Sequence, residues 1–261
     1  MENTIHFYKY QGTGNDFVMI DNRDLQFPKD EKVILNLCDR RFGIGGDGLI
    51  LLENDEDSAN FDFKMVYYNS DGRESTMCGN GGRCIIAFAH FLDIFEDRCH
   101  FNAVDGAHEG EVCGSEIKLK MIDVEIAKND GDSFVLNTGS PHYVKFVDKV
   151  QDFDVFNEGR SIRNSANYAA EGINVNFVQP LNENSLFVRT YERGVEDETY
   201  SCGTGVTASA LTWMEKKNLE QVHVKVLGGT LNVYAKRQGK NFTDVWLQGP
   251  AKMVFQGKIK I

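Results

Sequence analysis

One eight-residue pattern occurs twice in this chain, and it constrains the fold more than any other feature. Glu74-Ser75-Thr76-Met77-Cys78-Gly79-Asn80-Gly81 returns as Glu198-Thr199-Tyr200-Ser201-Cys202-Gly203-Thr204-Gly205. Glutamate, hydroxyl residue, two spacers, cysteine, glycine, polar residue and glycine recur in one register. The two cysteines stand 124 residues apart (202 − 78), close to half of the 261-residue length. The flanks repeat as well: a strand-like run, Phe63–Tyr67 or Phe187–Tyr191, precedes each copy. An apolar segment follows each, Cys84–Leu92 or Val206–Met214. Both segments are apolar on all sides, so each reads as a helix buried in its own domain. A repeat of this length is a duplicated domain, not a solenoid unit.

The remaining pattern is strand-rich in both halves. The first half reads as an edge-like strand Ile5–Tyr10, a strand Val18–Asp21, a helix Asp30–Arg41 and strands Leu49–Glu53 and Phe61–Tyr68. Strands over Cys99–Val104, His108–Cys113 and Glu116–Met121 follow its central helix. The second half repeats the scheme, with strands Phe134–Asn137 and His142–Phe146 and a helix Asp154–Asn164. Strands Ile173–Val178 and Leu186–Tyr191 lead into its own central helix. Four more strands, Val222–Leu227, Thr230–Ala235, Thr243–Leu247 and Met253–Ile261, close the chain. This is no doubly wound alternation of strand and helix. The fold class is α+β: two pseudosymmetric domains, each a barrel-like sheet wrapped around a central buried helix. The boundary is placed so that 1–116 form the first lobe, with 251–261 returning to it, and 117–250 form the second.

Bulk properties narrow the partners. A net charge of −11 disfavours nucleic acid and anionic membrane surfaces. No apolar run approaches the ~18 residues of a membrane span. Met1–Gln11 lacks the basic start and apolar core of a signal peptide. Six cysteines without dense spacing fit a reducing compartment, and the cytoplasm is the expected location.

Chemistry follows from the doubled motif. A cysteine at a helix start sits among free backbone N–H groups and the positive end of the helix dipole. Such a site favours the thiolate. The glycines let backbone approach a ligand, and the same N–H groups are suited to a carboxylate. If the halves face each other, two thiols flank one α-carbon, an arrangement for racemisation without pyridoxal or metal. Cys38, Cys84, Cys99 and Cys113 read as small buried hydrophobes instead. A zinc site is disfavoured because Cys78 and Cys84 lack metal-ligand spacing. A phosphate loop is disfavoured because the Lys-Ser/Thr pair is missing. A thiol–disulfide switch reads as inactivation, not function.

Several ordered runs carry a family resemblance. Gly12-Thr13-Gly14-Asn15-Asp16-Phe17, Phe42-Gly43-Ile44-Gly45-Gly46-Asp47-Gly48, Asn69-Ser70-Asp71-Gly72 and Met77–Cys84 resemble the diaminopimelate epimerases. So do Ile173–Phe177, Val188–Gly194, Cys202-Gly203-Thr204-Gly205 and Gly249-Pro250-Ala251, over essentially the whole chain. The resemblance implies interconversion of L,L- and meso-diaminopimelate for lysine and cell-wall precursors, no cofactor, no metal and a homodimer. It implies that Cys78 and Cys202 are the acid/base thiols. Gly79, Asn80, Gly203 and Thr204 would hold the reacting carboxylate, and Asn15, Asn69, Asn174 and Arg193 the ends of the substrate. Glu192 would stand near the α-ammonium, and His142 would tune the cysteine pair. The pattern departs at two positions: Ser140 stands where relatives often carry Asn, and Gly48 where they often carry Gln. The near rival within the fold is a proline or hydroxyproline racemase. Arg193 favours a substrate with a second charged end, because a guanidinium pairs bidentately with a carboxylate.

Overall fold

The computed structural model describes residues 4–261. The chain opens with β1 (Thr4–Gly12), β2 (Asn15–Asp21), α1 (Glu31–Cys38), β3 (Gly48–Glu53) and β4 (Phe63–Asn69). Next come α2 (Gly79–Phe91), β5 (Arg98–Ala103), β6 (Gly106–Cys113) and β7 (Glu116–Lys120). The middle holds β8 (Val124–Glu125), β9 (Lys128–Asp130), β10 (Ser133–Asn137), β11 (Pro141–Phe146) and α3 (Val155–Arg163). Then follow β12 (Asn174–Asn182), β13 (Ser185–Glu192), β14 (Asp197–Thr199) and α4 (Gly203–Lys217). The last strands are β15 (Gln221–Val226), β16 (Gly229–Gln238), β17 (Asn241–Pro250) and β18 (Lys252–Lys260). Two compact units emerge, one running to Leu119 and taking back Pro250–Ile261, the other Lys120–Gly249.

In the first unit β1 pairs antiparallel with both β18 and β2, β2 runs parallel to β3, and β3 pairs antiparallel with β4. β4 lies parallel to β5, which continues antiparallel into β6 and β7. The second unit repeats this order: β10 antiparallel to β11, β11 parallel to β12, β12 antiparallel to β13, and β13 parallel to β15. Each parallel pair is bridged by a helix, as parallel neighbours require. α1 and α3 make the first crossover of their units, and α2 and α4 the second.

Two expectations are corrected. β1 is not an edge strand, because a partner from the far end of the chain covers its outer side. α1 stops at Cys38 rather than running to Arg41: the Asp39 carboxylate accepts from the N–H groups of Arg41 and Phe42, both at 2.7 Å, and turns the chain off. The short strands β8, β9 and β14, two or three residues each, carry too little alternation to be read in sequence.

The sheets are buried on both faces, which explains the unbroken apolar run of β3. Leu49 and Leu51 pack with Val18, Ile20, Ile34, Leu37 and Val66 on the α1 side. Ile50, pointing the other way, reaches the first turn of α2 at Gly81. In the second unit Val155 and Tyr191 join Val175, Phe177 and Phe187 under α3. α2 and α4 are buried on nearly every side, as their all-round apolar composition requires. Among the described residues, no helix is long and apolar enough to cross a membrane.

Candidate active site

Each cysteine of the doubled motif is the N-cap of its central helix, with extended backbone (φ −104°, ψ 150° at Cys78; φ −115°, ψ 109° at Cys202). At this position the first N–H groups of the helix have no partner within it. The Cys78 sulfur accepts from Gly81 N at 3.2 Å. The Cys202 sulfur lies 3.5 Å from the Thr204 hydroxyl. The dipoles at both entrances stabilise an anion. Three of the other four cysteines behave differently: burial pushes the Cys38 and Cys84 thiols up to about 12, and raises Cys99 further. Cys113, expected among the buried ones, is half-buried at the end of β6.

A Thr-Gly turn tethers each entrance. Thr13 precedes the left-handed Gly14 (φ 91°) and places its hydroxyl 3.4 Å from Asn80 Oδ1. Thr138 precedes Gly139 (φ 102°) and donates to the carbonyl of Thr204 at 2.9 Å. Sequence reading passed over both threonines, although the duplicated Thr-Gly spacing held the signal.

In the first unit Asn15, Gly79 and Asn80 come together beside Cys78. Asn80 Nδ2 donates to Asn15 Oδ1 at 3.3 Å, and Asn15 Nδ2 donates to Asp47 at 2.5 Å. Asp47 also accepts from Arg40, which grips Asp16 with two bonds of 2.9 and 2.6 Å. Lys9, buried, pairs with Asp16 at 2.8 Å and donates to the Gly45 carbonyl, and these partners hold Asp16 down at about 2. The charged net fixes Asn15 through the loop that carries Asp47. Asn69 ends β4 opposite Gly48 and is exposed. Gly48 is demanded by packing. A Cβ there would lie 2.6 Å from the Tyr67 ring and 2.5 Å from the Tyr68 carbonyl. Tyr67 therefore occupies the space a side chain at 48 would need.

In the second unit Asn174 is a hub. Its amide donates to Ser140 Oγ at 2.9 Å and to the Pro141 carbonyl at 3.1 Å, and its oxygen accepts from Arg193 N at 2.9 Å. Arg193 reaches the Glu171 carbonyl at 3.0 Å and Ser140 Oγ at 3.4 Å. Ser140, set aside in sequence because it departs from the family pattern, thus sits among the expected substrate residues. Glu192 accepts from Thr199 at 2.9 Å.

His142 is fully buried against α4. Asn176 donates to the Tyr143 carbonyl at 3.0 Å, which orients its amide, and its oxygen accepts from Thr190 at 2.9 Å. The same amide nitrogen then donates to His142 Nδ1 at 3.0 Å, so the ring proton lies on Nε2. Burial above all, with the nearby Arg193 charge, brings His142 down to about 3. It is a neutral imidazole, and its buried Nε2 has no partner among the described residues. Asn176, two residues along β12 from Asn174 and on its face, was missed in sequence because its partners lie on β11 and β13.

Among the described residues, no group of three His, Cys, Asp or Glu side chains is placed to hold a metal ion. Two units, each a mixed sheet around one buried helix that begins at a cysteine, define the class: a duplicated α+β fold of the diaminopimelate epimerase type. The family model described as diaminopimelate epimerase matches residues 7–126 and 134–254. A diaminopimelate epimerase of Flavobacterium psychrophilum is 52% identical over 256 residues, covering 97% of this chain and 99% of the relative. One from Chlorobaculum tepidum is 41% identical over 261 residues, covering 96% and 99%. The chain belongs to the diaminopimelate epimerase family. Among solved structures, a phenazine biosynthesis protein of the PhzF family from Bacillus anthracis aligns with TM-score 0.73 at 14% identity, covering 99% of this chain and all of its own. A hydroxyproline epimerase from Agrobacterium vitis aligns with TM-score 0.69 at 11% identity, covering 99% and 93%. At such identity these two share the fold alone.

Proposed function

We propose that this chain is an isomerase that interconverts L,L- and meso-diaminopimelate without a cofactor, using Cys78 and Cys202 as paired acid and base. The observation that carries the reading is the doubled helix entrance, a cysteine N-cap followed by Gly-x-Gly in each unit of a family member. One thiolate removes the α-proton, and the electron pair left on the α-carbon delocalises into the carboxylate. The other thiol delivers its proton to the opposite face and becomes the thiolate. No electrons leave the substrate, and the two sulfurs exchange roles at each turnover. Their titration is therefore that of a coupled pair.

Gly79, Asn80, Gly203 and Thr204 bind the reacting carboxylate in this reading, because N–H groups at helix starts stabilise charge that grows there during proton removal. Asn15, Asn69, Asn174 and Arg193 take the remaining polar ends. Glu192, oriented by Thr199, receives the α-ammonium. His142, a neutral donor wedged against the start of α4, orients and tunes the thiol chemistry rather than accepting the proton itself. The polar cluster of Asn174, Ser140 and Arg193 fits a substrate with a second charged end better than a proline ring.

The cytoplasm, where thiols stay reduced, is the compartment this chemistry requires. A homodimer is proposed on the exposed apolar run Met253, Val254 and Phe255 of β18. Light scattering on the purified chain tests it, and a monomer at assay concentration refutes it. The activity is tested by incubation with L,L-diaminopimelate in deuterated water. Meso product carrying deuterium at one α-carbon is expected. Proline turnover in a parallel reaction, with diaminopimelate untouched, would overturn the substrate assignment.

A further inference from the structure

The two cysteine-capped helices are duplicated in backbone but unequal in charge five residues past the cysteine. Position 83 is arginine and its counterpart, 207, is threonine. Both do the same backbone task. Arg83 Nη1 donates to the Gly79 carbonyl at 3.0 Å, and Thr207 Oγ1 donates to the Gly203 carbonyl at 2.9 Å. Only Arg83 brings a cation to this helix position; in the second unit the Arg193 charge acts on His142, which packs against Gly205 at the start of α4.

That cation is expensive where it stands. Arg83 is fully buried, its Nε has no partner among the described residues, and no carboxylate there lies within ion-pairing distance. Its Nη2 goes to neutral acceptors, Asn80 Oδ1 at 3.0 Å and Thr13 Oγ1 at 3.2 Å. Burying a charge without a directly paired carboxylate is costly, and the positive end of α2 adds to the cost. Room is kept for it: a Cβ on Gly12 would crowd Nη2 at 3.2 Å.

The ionisable groups that face the guanidinium are Cys78 and Cys84 on α2 and Glu116 from β7. Tyr10 on β1 and Asp16 on β2 face Cys84 in turn. Burial lowers Arg83 only to about 10, which leaves it charged at neutral pH, while Cys84 stays a thiol. Of the two thiols Cys78 is the one that is part-exposed and capped by a helix N–H, and so the one able to carry negative charge here beside the Glu116 carboxylate.

We propose that Arg83 is a positioning residue that holds Cys78 as the resting thiolate and locks Asn80 beside it, leaving Cys202 as the resting thiol. The proposal rests on the reading that the two cysteines are the acid/base pair. It makes the duplicated sites electrostatically unequal, so that the free enzyme is poised with its base in the first unit.

The test is the pH profile of alkylation by iodoacetamide, followed cysteine by cysteine through peptide mass spectrometry. In the wild-type enzyme the Cys78 midpoint should fall at least about one pH unit below that of Cys202, a factor of about ten in thiolate fraction. Arg83→Gln keeps a donor but removes the charge. It should raise the Cys78 midpoint by about one unit or more, leave Cys202 in place and lower kcat more than it raises KM. Arg83→Lys restores the charge and should restore the midpoint. Equal midpoints in the wild type overturn the proposal, as does an Arg83→Gln profile that is unchanged or shifts both thiols together. If Arg83→Gln fails to fold, the wild-type profile and Arg83→Lys decide. Unequal midpoints in an enzyme that does not epimerise diaminopimelate would keep this proposal and remove the functional reading instead.

Discussion

Gly205→Ala is the substitution whose cost the structure defines most closely. Helix propensity alone favours it by about 1 kcal/mol, since alanine is the better helix former. The site reverses that preference. A Cβ at 205 would lie 2.3 Å from Asn176 Oδ1 and 3.3 Å from His142 Cε1. The amide oxygen must retreat by roughly 1 Å to reach ordinary contact, yet Asn176 is held by Thr190, Tyr143 and His142 at 2.9–3.0 Å. Two of those buried bonds break in any such retreat, at about 1–3 kcal/mol each. After the helix credit, the expected net loss is about 1–5 kcal/mol. The assay is urea denaturation of the two proteins, with epimerase activity measured alongside. Gly81→Ala is the matched control, because the methyl there meets Cys78 Sγ at 3.2 Å and Ile50 Cδ1 at 3.3 Å, a milder crowding without a locked amide. A Gly205→Ala protein as stable as wild type, or more so, would refute the packing of Asn176 and His142 against the start of α4.

Other outcomes follow from the same geometry. Because His142 is neutral when folded (about 3, against 6.5 when exposed), the unfolded chain binds the extra proton between those values. Stability is therefore whole above pH 6.5 and falls as the pH drops toward 3. His142→Gln should flatten that slope in urea titrations, and identical slopes would contradict the assignment. Arg193→Ala should raise KM for diaminopimelate by about 10- to 150-fold, the range of a charge-assisted bond at about 1.5–3 kcal/mol, with the fold intact by circular dichroism. An unchanged KM would place the distal contact elsewhere. Tyr67→Phe, which keeps the ring over Gly48 and removes only the hydroxyl, should leave the melting temperature within a few degrees; a collapse would mean that the hydroxyl, not the ring, fills that space.

What could be read directly from the sequence was contiguous. The doubled octapeptide announces the duplication and places both cysteines at helix starts, because backbone geometry and chemistry lie within eight residues of each other. The all-round apolar runs after it announce buried central helices for the same reason. Features made by partners distant in sequence were hidden. β1 is shielded by β18, more than 240 residues away, so its alternation resembled that of an edge. Asn176 gains its role from His142 and Thr190 on flanking strands, and Arg83 from Thr13 across the β1–β2 turn. Ser140, weighed only against a family pattern, is tied to Asn174 and Arg193 by bonds that no local motif encodes. The parallel pairings were hidden because α1 and α3 are short, and the strands they join show no signature of direction.

The central claim is that two sulfurs, one from each half, share a single proton-transfer reaction. The most direct measurement is the rate of L,L- to meso-diaminopimelate conversion by Cys78→Ala and by Cys202→Ala, each verified as folded. The account predicts that either substitution alone lowers the rate by at least about 10²–10⁴-fold, the worth of one positioned acid or base. Full turnover by either single variant would contradict it.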